Sequence, residues 1–332
     1  MASTLREVAA RAGVSAITVS RALRNTGLVS AATRARVLAA IAELDYVPNG
    51  AARSLRSNKT QLLALLVPDI TNPFWTTVAR GVEDAALQAE YGVILCNTDE
   101  EQAKEARYLD LLLRQRIDGL LVAPTSESTQ ILQDLERRDV PFVLIDRAVA
   151  GVAADIVRGD SRGGAQRMAA HLLAGGYRRI AVLTGPLTVS TAEERVAGYL
   201  SALAEAGLPA DPDLIFYGRY REEWGFQITH DLMGRAPRPD AIFAANNFIA
   251  MGVLEALATL GLQAPDDVAL VCFDDTTQLT AARFLTTTIQ PAREMGRVGV
   301  ELLLARLAAP DRPLQEVLLP TELVVRSSCG CA

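Results

Sequence analysis

Two textures of apolar patterning divide this chain. Over the first 46 residues apolar positions recur at helical spacing: Leu5, Val8, Ala9 and Ala12 share one face, and Val19, Ala22 and Leu23 share another. A third helix is expected to turn Val37, Leu38, Ile41 and Leu44 inward. Thr4 or Ser3 can cap the first helix, Ser15 the second and Ser30 the third. Gly13, followed by Val14, tolerates the left-handed backbone of a tight turn. Small Ala9 at the crossing and Val19 opposite it complete what a helix-turn-helix needs.

From residue 61 the texture becomes apolar strands separated by amphipathic stretches such as RGVEDAALQAE and EALATLGL. QLLALLVPD (61–69), YGVILCNTD (91–99), DGLLVAP (118–124), PFVLIDR (141–147) and DIVRGD (155–160) make a first series. RRIAVLTGP (178–186), LIFYGRY (214–220), DAIFAAN (240–246) and VALVCFDD (268–275) make a second. Strands almost continuous in Val, Ile and Leu with helical crossovers predict parallel sheets covered on both faces. The expected fold class is therefore α/β: a helix-turn-helix head, then two doubly wound parallel-sheet subdomains with ligand held between them at the strand ends.

At 332 residues the chain accommodates two or three domains. Half of it is apolar, yet no uninterrupted apolar run reaches the roughly 18 residues of a membrane span. MASTLREVAARAG has acids and arginines where a secretory signal would be apolar, so a cytoplasmic location is expected. Cys96 and Cys272 fall in strand-like runs and read as small core residues. Cys329 and Cys331 read as a reduced, frayed tail.

Charge changes the picture. The net charge is −6, but residues 1–60 hold nine basic side chains against three acids (Glu7, Glu43, Asp45), leaving −12 for the rest. A basic head on an acidic body is what one end meeting a polyanion requires. The following segment, YVPNGAARSLRSNKT (46–60), opens a helix-prone stretch at Pro48 too short to be stable alone in water. Leu55 between Arg53 and Arg56 has the make-up of a minor-groove wedge flanked by phosphate-seeking cations.

TLREVAARAGVSAITVSRALRN followed by LVSAATRARVLAAIAELDYVPNGAARSLR resembles the DNA-binding head and hinge of the lactose/galactose/purine (LacI-type) repressor family, and the similarity continues to about residue 326. The resemblance implies a homodimer on a near-palindromic operator, with one recognition helix per half-site. It places DNA contacts at Thr4, Ser15, Ala16, Ile17, Thr18, Ser20, Arg21 and Asn25 in the head. In the hinge it places them at Arg53, Leu55 and Arg56. Neither Ala16 nor Ile17 makes a bidentate hydrogen bond, so base reading there is expected by apolar contact, with Arg21 available to guanine or phosphate. The implied organisation is a head over 1–46, a hinge helix over 47–60 and an effector-binding, dimerising body over 61–332, periplasmic-binding-protein-like in architecture. Within the body, one subdomain takes 61–158 and 291–319, the other 159–289 and 320–326. The chain ends at VVRSSCGCA, without the Leu-heptad helix of the family's tetramers, so a dimer is expected.

Enzyme signatures are missing: there is no GxxxxGK[ST], GxGxxG, GxSxG or HExxH. His171 and His230 lie far apart in helical stretches and read as solvated or core residues. No cofactor is expected. The strand ends carry the informative residues: Asn72, Phe74 and Trp75 after the first strand, Asp146 and Arg147 after the fourth. Thr191, Arg195, Tyr220, Asn246, Asp274 and Gln290 follow in the second series. This set resembles the sugar-contacting positions of the family and of periplasmic ribose-type binding proteins. Aromatic rings pack on sugar C–H faces, while carboxylate, amide and guanidinium groups pair with hydroxyls. The family often has Asn-Asp where this chain has Asn246-Asn247, which leaves Asn247 outside the candidate set.

The expectation is a repressor controlled by a small monosaccharide, a pentose such as ribose. Two rivals stand beside it. A purine or nucleoside effector would stack on Phe74, Trp75 and Tyr220, and a sugar-processing enzyme would carry the head as an accessory.

Overall fold

The computed structural model describes residues 3–23, 29–46, 59–125, 128–275 and 283–330. Arg24, Asn25, Arg53, Leu55, Arg56 and Cys331, with the hinge stretch over 47–58, lie outside the described residues. The chain forms two units, Met1–Thr60 and Gln61–Ala332.

The first unit holds three helices, α1 (Leu5–Ala12), α2 (Ala16–Leu23) and α3 (Ala31–Glu43). Thr4 caps α1 in a reciprocal capping box with Glu7, and Gly13 ends it at φ 63°. The Glu7 carboxyl is held below its usual range by the Thr4 backbone and side-chain hydrogen bonds. Ser15 Oγ accepts from Thr18 N at 3.2 Å to start α2, and Ser30 caps α3. Val8, Ala9, Ala12, Val19, Ala22, Val37, Ala40 and Tyr46 form the core. Leu38 departs from expectation and is 47% exposed. The buried face of α3 runs through Val37 and Ala40, with Ile41 and Leu44 partly covered; Leu38 sits about 100° round the helix from Val37.

The second unit contains two six-stranded sheets. The first, in the order β11-β5-β4-β3-β1-β2, uses β1 (Leu62–Val67), β2 (Gly92–Asn97), β3 (Gly119–Val122), β4 (Phe142–Ile145), β5 (Asp155–Gly159) and β11 (Glu316–Leu319). All its pairings are parallel. The second, in the order β12-β10-β9-β8-β6-β7, uses β6 (Ile180–Thr184), β7 (Ile215–Tyr217), β8 (Ala241–Ala244), β9 (Ala269–Phe273), β10 (Thr286–Ile289) and β12 (Glu322–Val324). Only β12 runs antiparallel there. The chain passes from the first sheet to the second after β5, returns after β10, and crosses again between β11 and β12.

Helices cover both faces: α4 (Pro73–Gln88), α5 (Gln102–Arg114), α6 (Thr129–Arg137) and α11 (Ala292–Ala308) on the first sheet. The second is covered by α7 (Ser161–Ala174), α8 (Ser190–Glu205), α9 (Glu222–Met233) and α10 (Asn247–Thr259). Helices pack in pairs through glycine. A Cβ on Gly81 of α4 would lie 2.0 Å from Arg293 O, and one on Gly296 of α11 would lie 2.2 Å from Val78 O. Gly252 of α10 meets Glu222 O of α9 in the same way, at 2.0 Å.

The C-terminal segment corrects a second expectation. Cys329 is not frayed but fully buried, in the short turn Ser327–Cys329. Ser328 Oγ donates to Leu270 O and accepts from Thr286 N, stitching the turn to β9 and β10. Cys96 and Cys272 are buried core residues. His171 of α7 lies 3.2 Å from Cys329 Sγ, and His230 stacks on Phe226. Among the described residues no helix is long and apolar enough to cross a membrane.

Candidate functional site

In the head, α2 turns Val19 and Ala22 inward, which leaves the opposite face to Ile17 and Arg21. Ile17 is 64% exposed, unusual for an isoleucine with a core beside it. Ser15 and Thr18 share a hydroxyl hydrogen bond of 2.9 Å at the start of the helix. Thr4 is exposed with its hydroxyl in the capping box, while Ala16, Ser20 and Thr18 are half-buried. The candidate DNA residues that the structure describes thus gather at the start of α2, along its outer face, and at the start of α1.

In the body, all eleven candidate effector residues line one cleft of about 460 Å³, measured to its open mouth. It lies where the carboxyl ends of the two sheets face each other. Asn72 caps α4 by accepting from Phe74 N at 3.0 Å, and Asn246 caps α10 by accepting from Ile249 N at 2.9 Å. Phe74 and Trp75, in the first turn of α4, meet edge to face at 4.8 Å.

Asp146 and Asp274 occupy matching places after β4 and β9. Both take a left-handed backbone, φ 67° and 78°. Each donates its N–H to the neighbouring strand: Asp146 to Val157 O and Asp274 to Thr288 O. Asx residues tolerate this conformation better than most, and it turns both carboxylates into the cleft. Burial pushes the Asp146 carboxyl up to about 6, against the pull of Arg195 and Arg147. Burial raises Asp274 as well, opposed by Arg195 and by Gln290, whose Nε2 donates to Asp274 Oδ1 at 2.7 Å.

The two inner arginines are held differently. Arg147 donates both terminal nitrogens to Glu100, at 2.8 and 2.7 Å, and Nη1 also to Pro124 O. Its guanidinium carbon lies 6.0 Å from the Trp75 ring centroid and 5.9 Å from that of Tyr220. Burial opposes its charge, but Glu100, Asp146 and Tyr220 together hold its pKa above the ordinary value. Arg195 stacks 3.8 Å from the centre of Phe273 and donates to Ala245 O. Thr191 and the Tyr220 hydroxyl lie 3.5 Å apart.

Among the described residues, four polar atoms of the cleft are buried without a hydrogen-bond partner: Asp146 Oδ1, Arg147 Nε, Arg195 Nε and Gln290 Oε1. Two are donors and two acceptors.

Five lining residues escaped the sequence reading: Pro68, Asp69, Glu100, Arg221 and Phe248. Four of them stand within or beside the strand-end stretches already singled out. Glu100 follows β2, a strand end that yielded no candidate, and only the loop geometry turns it inward. Asn247 is fully buried and exchanges two amide hydrogen bonds with Asn72, at 2.8 and 3.0 Å, joining the two subdomains. Arg221 Nη1 to Asp69 Oδ2 at 2.9 Å is a second tie across the cleft. Among the described residues no group of His, Cys, Asp and Glu is arranged to hold a metal ion.

Residues 4–49 match the bacterial regulatory proteins of the lacI family. Residues 60–322 match the periplasmic binding proteins and sugar binding domain of LacI family. The chain is 36% identical to the ribose operon repressor of Escherichia coli strain K12 over 332 residues, covering 98% of this chain and 99% of that one. It is 34% identical to the HTH-type transcriptional repressor PurR of Photobacterium profundum, with 98% of both chains covered. A structure of the lac repressor dimer bound to operator and the anti-inducer ONPF superposes with a TM-score of 0.87 at 29% identity, covering 99% of each chain. The chain belongs to the lacI family of bacterial regulatory proteins: it is a transcriptional repressor with a periplasmic-binding-protein-like, sugar-binding type of body, and not an enzyme.

Proposed function

We propose that this repressor binds a near-palindromic operator as a cytoplasmic homodimer and is controlled by a neutral monosaccharide, a pentose such as ribose, closed in the cleft. The observation that carries the reading is the set of four buried atoms without a hydrogen-bond partner, Asp146 Oδ1, Arg147 Nε, Arg195 Nε and Gln290 Oε1. A sugar hydroxyl donates one hydrogen bond and accepts others, so adjacent hydroxyls match a mixed set of donors and acceptors. Phe74 and Trp75 offer apolar ring surface to C–H groups. A purine would need parallel aromatic faces, and the centroids of Trp75 and Tyr220 stand 6.0 and 5.9 Å from the Arg147 guanidinium carbon. A relative named for ribose and one named PurR stand at nearly equal identity, and the chemistry of the cleft supports the sugar.

On the DNA, Ile17 reads a thymine methyl by apolar contact and Arg21 reaches guanine or phosphate. In the hinge, Leu55 wedges into the minor groove while Arg53 and Arg56 contact phosphates. Effector and operator then change each other's affinity by the same factor.

The test is calorimetry with D-ribose on wild type and on Arg195→Ala and Asp274→Ala, with operator binding measured in parallel. Each substitution leaves a buried polar group unpaired, about 1–3 kcal/mol or more for a charged one, so at least roughly a fivefold loss of ribose affinity is expected. Operator affinity without sugar should stay, because the head is a separate unit. Binding of purines and of no monosaccharide would overturn the reading.

A further inference from the structure

Glu100 belongs to no motif of the chain, yet it lines the cleft. It follows β2 in a loop where Asp99 and Glu100 both take left-handed backbone, φ 54° and 60°. Two successive non-glycine residues in that region are held only where their surroundings enforce it. Here Asn97 Nδ2 donates to Asp99 Oδ1 at 2.6 Å, Lys104 pairs with the other Asp99 oxygen, and Thr98 N donates to Val67 O. The result is that the Glu100 carboxylate forks across both terminal nitrogens of Arg147.

Position matters as much as pairing. The Arg147 side chain is 6% exposed, whereas Glu100 is 31% and Arg221 38% exposed. Glu100 and Arg221 therefore mark the mouth, where any substituent too large for the inner cleft must project. A phosphoryl group there would meet a carboxylate, and the Arg147 fork that suits phosphate geometry is already occupied. With Glu100 the cleft holds four carboxylates against three guanidiniums; without it the two are equal in number.

We propose that Glu100 is the specificity-determining residue that excludes phosphorylated sugars from the cleft while holding Arg147 for a neutral one. This rests on the reading of the cleft as a neutral-monosaccharide site. The test uses the full-length protein, with D-ribose 5-phosphate and D-ribose as probes in thermal-shift and calorimetric titrations of wild type, Glu100→Gln and Glu100→Ala. Wild type should show no binding of ribose 5-phosphate at millimolar concentration. Either variant should bind it at least tenfold more tightly than wild type, with an affinity that falls as salt is raised. Should one variant fail to fold, the other is read in the same way. Wild type that already binds ribose 5-phosphate, or folded variants that gain nothing for it, overturns the proposal whatever ribose does. Failure of the underlying reading looks different: wild type then binds no neutral monosaccharide at all.

Discussion

Asp146 joins backbone strain, burial and charge in one residue. Its left-handed backbone turns the carboxylate inward, and loss of water around it raises the pKa to about 6. The groups facing it are Arg195 and Arg147, which favour its charge, and Asp274 and Glu100, which oppose it. A raised carboxyl destabilises the fold in its ionised form, so without ligand this contribution worsens as pH rises from the usual carboxylate range through about 6. Ligand works in the opposite sense. A hydroxyl donating to Asp146 Oδ1 is bound more tightly by the ionised carboxylate than by the acid, so ribose affinity is expected to fall by up to roughly tenfold between pH 7 and pH 5. Calorimetry at the two pH values in buffers of different ionisation enthalpy checks this, with proton release on binding near pH 5.5. A flat profile would remove Asp146 as an acceptor.

Among elements, the helix pairs decide how closely each layer packs. Gly81 and Gly296 let α4 and α11 cross with a backbone carbonyl where a methyl would stand. Gly296→Ala puts a Cβ 2.2 Å from Val78 O, and neither backbone can yield cheaply. With backbone on both sides the cost falls at the upper end of the about 1–3 kcal/mol of overpacking, which outweighs the roughly 1 kcal/mol that alanine gains in helix propensity. Gly234→Ala is the control, since its Cβ would meet nothing closer than 3.5 Å. Thermal melts should show Gly296→Ala lowered by several degrees and Gly234→Ala unchanged. Equal melting temperatures would mean that the two helices part at little cost.

Across the body as a unit, the two subdomains are joined by side chains as well as by crossing strands. The Asn72–Asn247 exchange is buried, while the Arg221–Asp69 pair stands at the mouth. A partly exposed ion pair contributes about 0.5–1 kcal/mol. Arg221→Ala should therefore weaken ribose binding only two- to fivefold, through faster release rather than slower association. Stopped-flow fluorescence separates the two rates. A larger loss would place Arg221 in direct contact with the sugar.

The class and order of most elements were legible in the chain alone. Strands such as LLALLV and ALVCF are buried on both faces, so hydrophobicity alone marks them. Caps and turns at Thr4, Gly13, Ser15 and Ser30 are local, and local chemistry is legible. Strand-end polar residues were legible too, because a parallel sheet brings all its carboxyl ends to one edge. The remainder was set by packing between distant segments. Strands β10, β11 and β12 are three or four residues long, and TTTI reads as polar. Thr286 is buried with its hydroxyl paired to the Arg326 backbone 40 residues away. Leu38 and Cys329 went astray for the same reason: one apolar side chain faces water and one tail residue lies in the core, each according to what packs beside it. Glu100 and Asn247 acquire their partners, Arg147 and Asn72, only when loops 47 and 175 residues apart are brought together. Contacts of that range leave no periodicity in a chain.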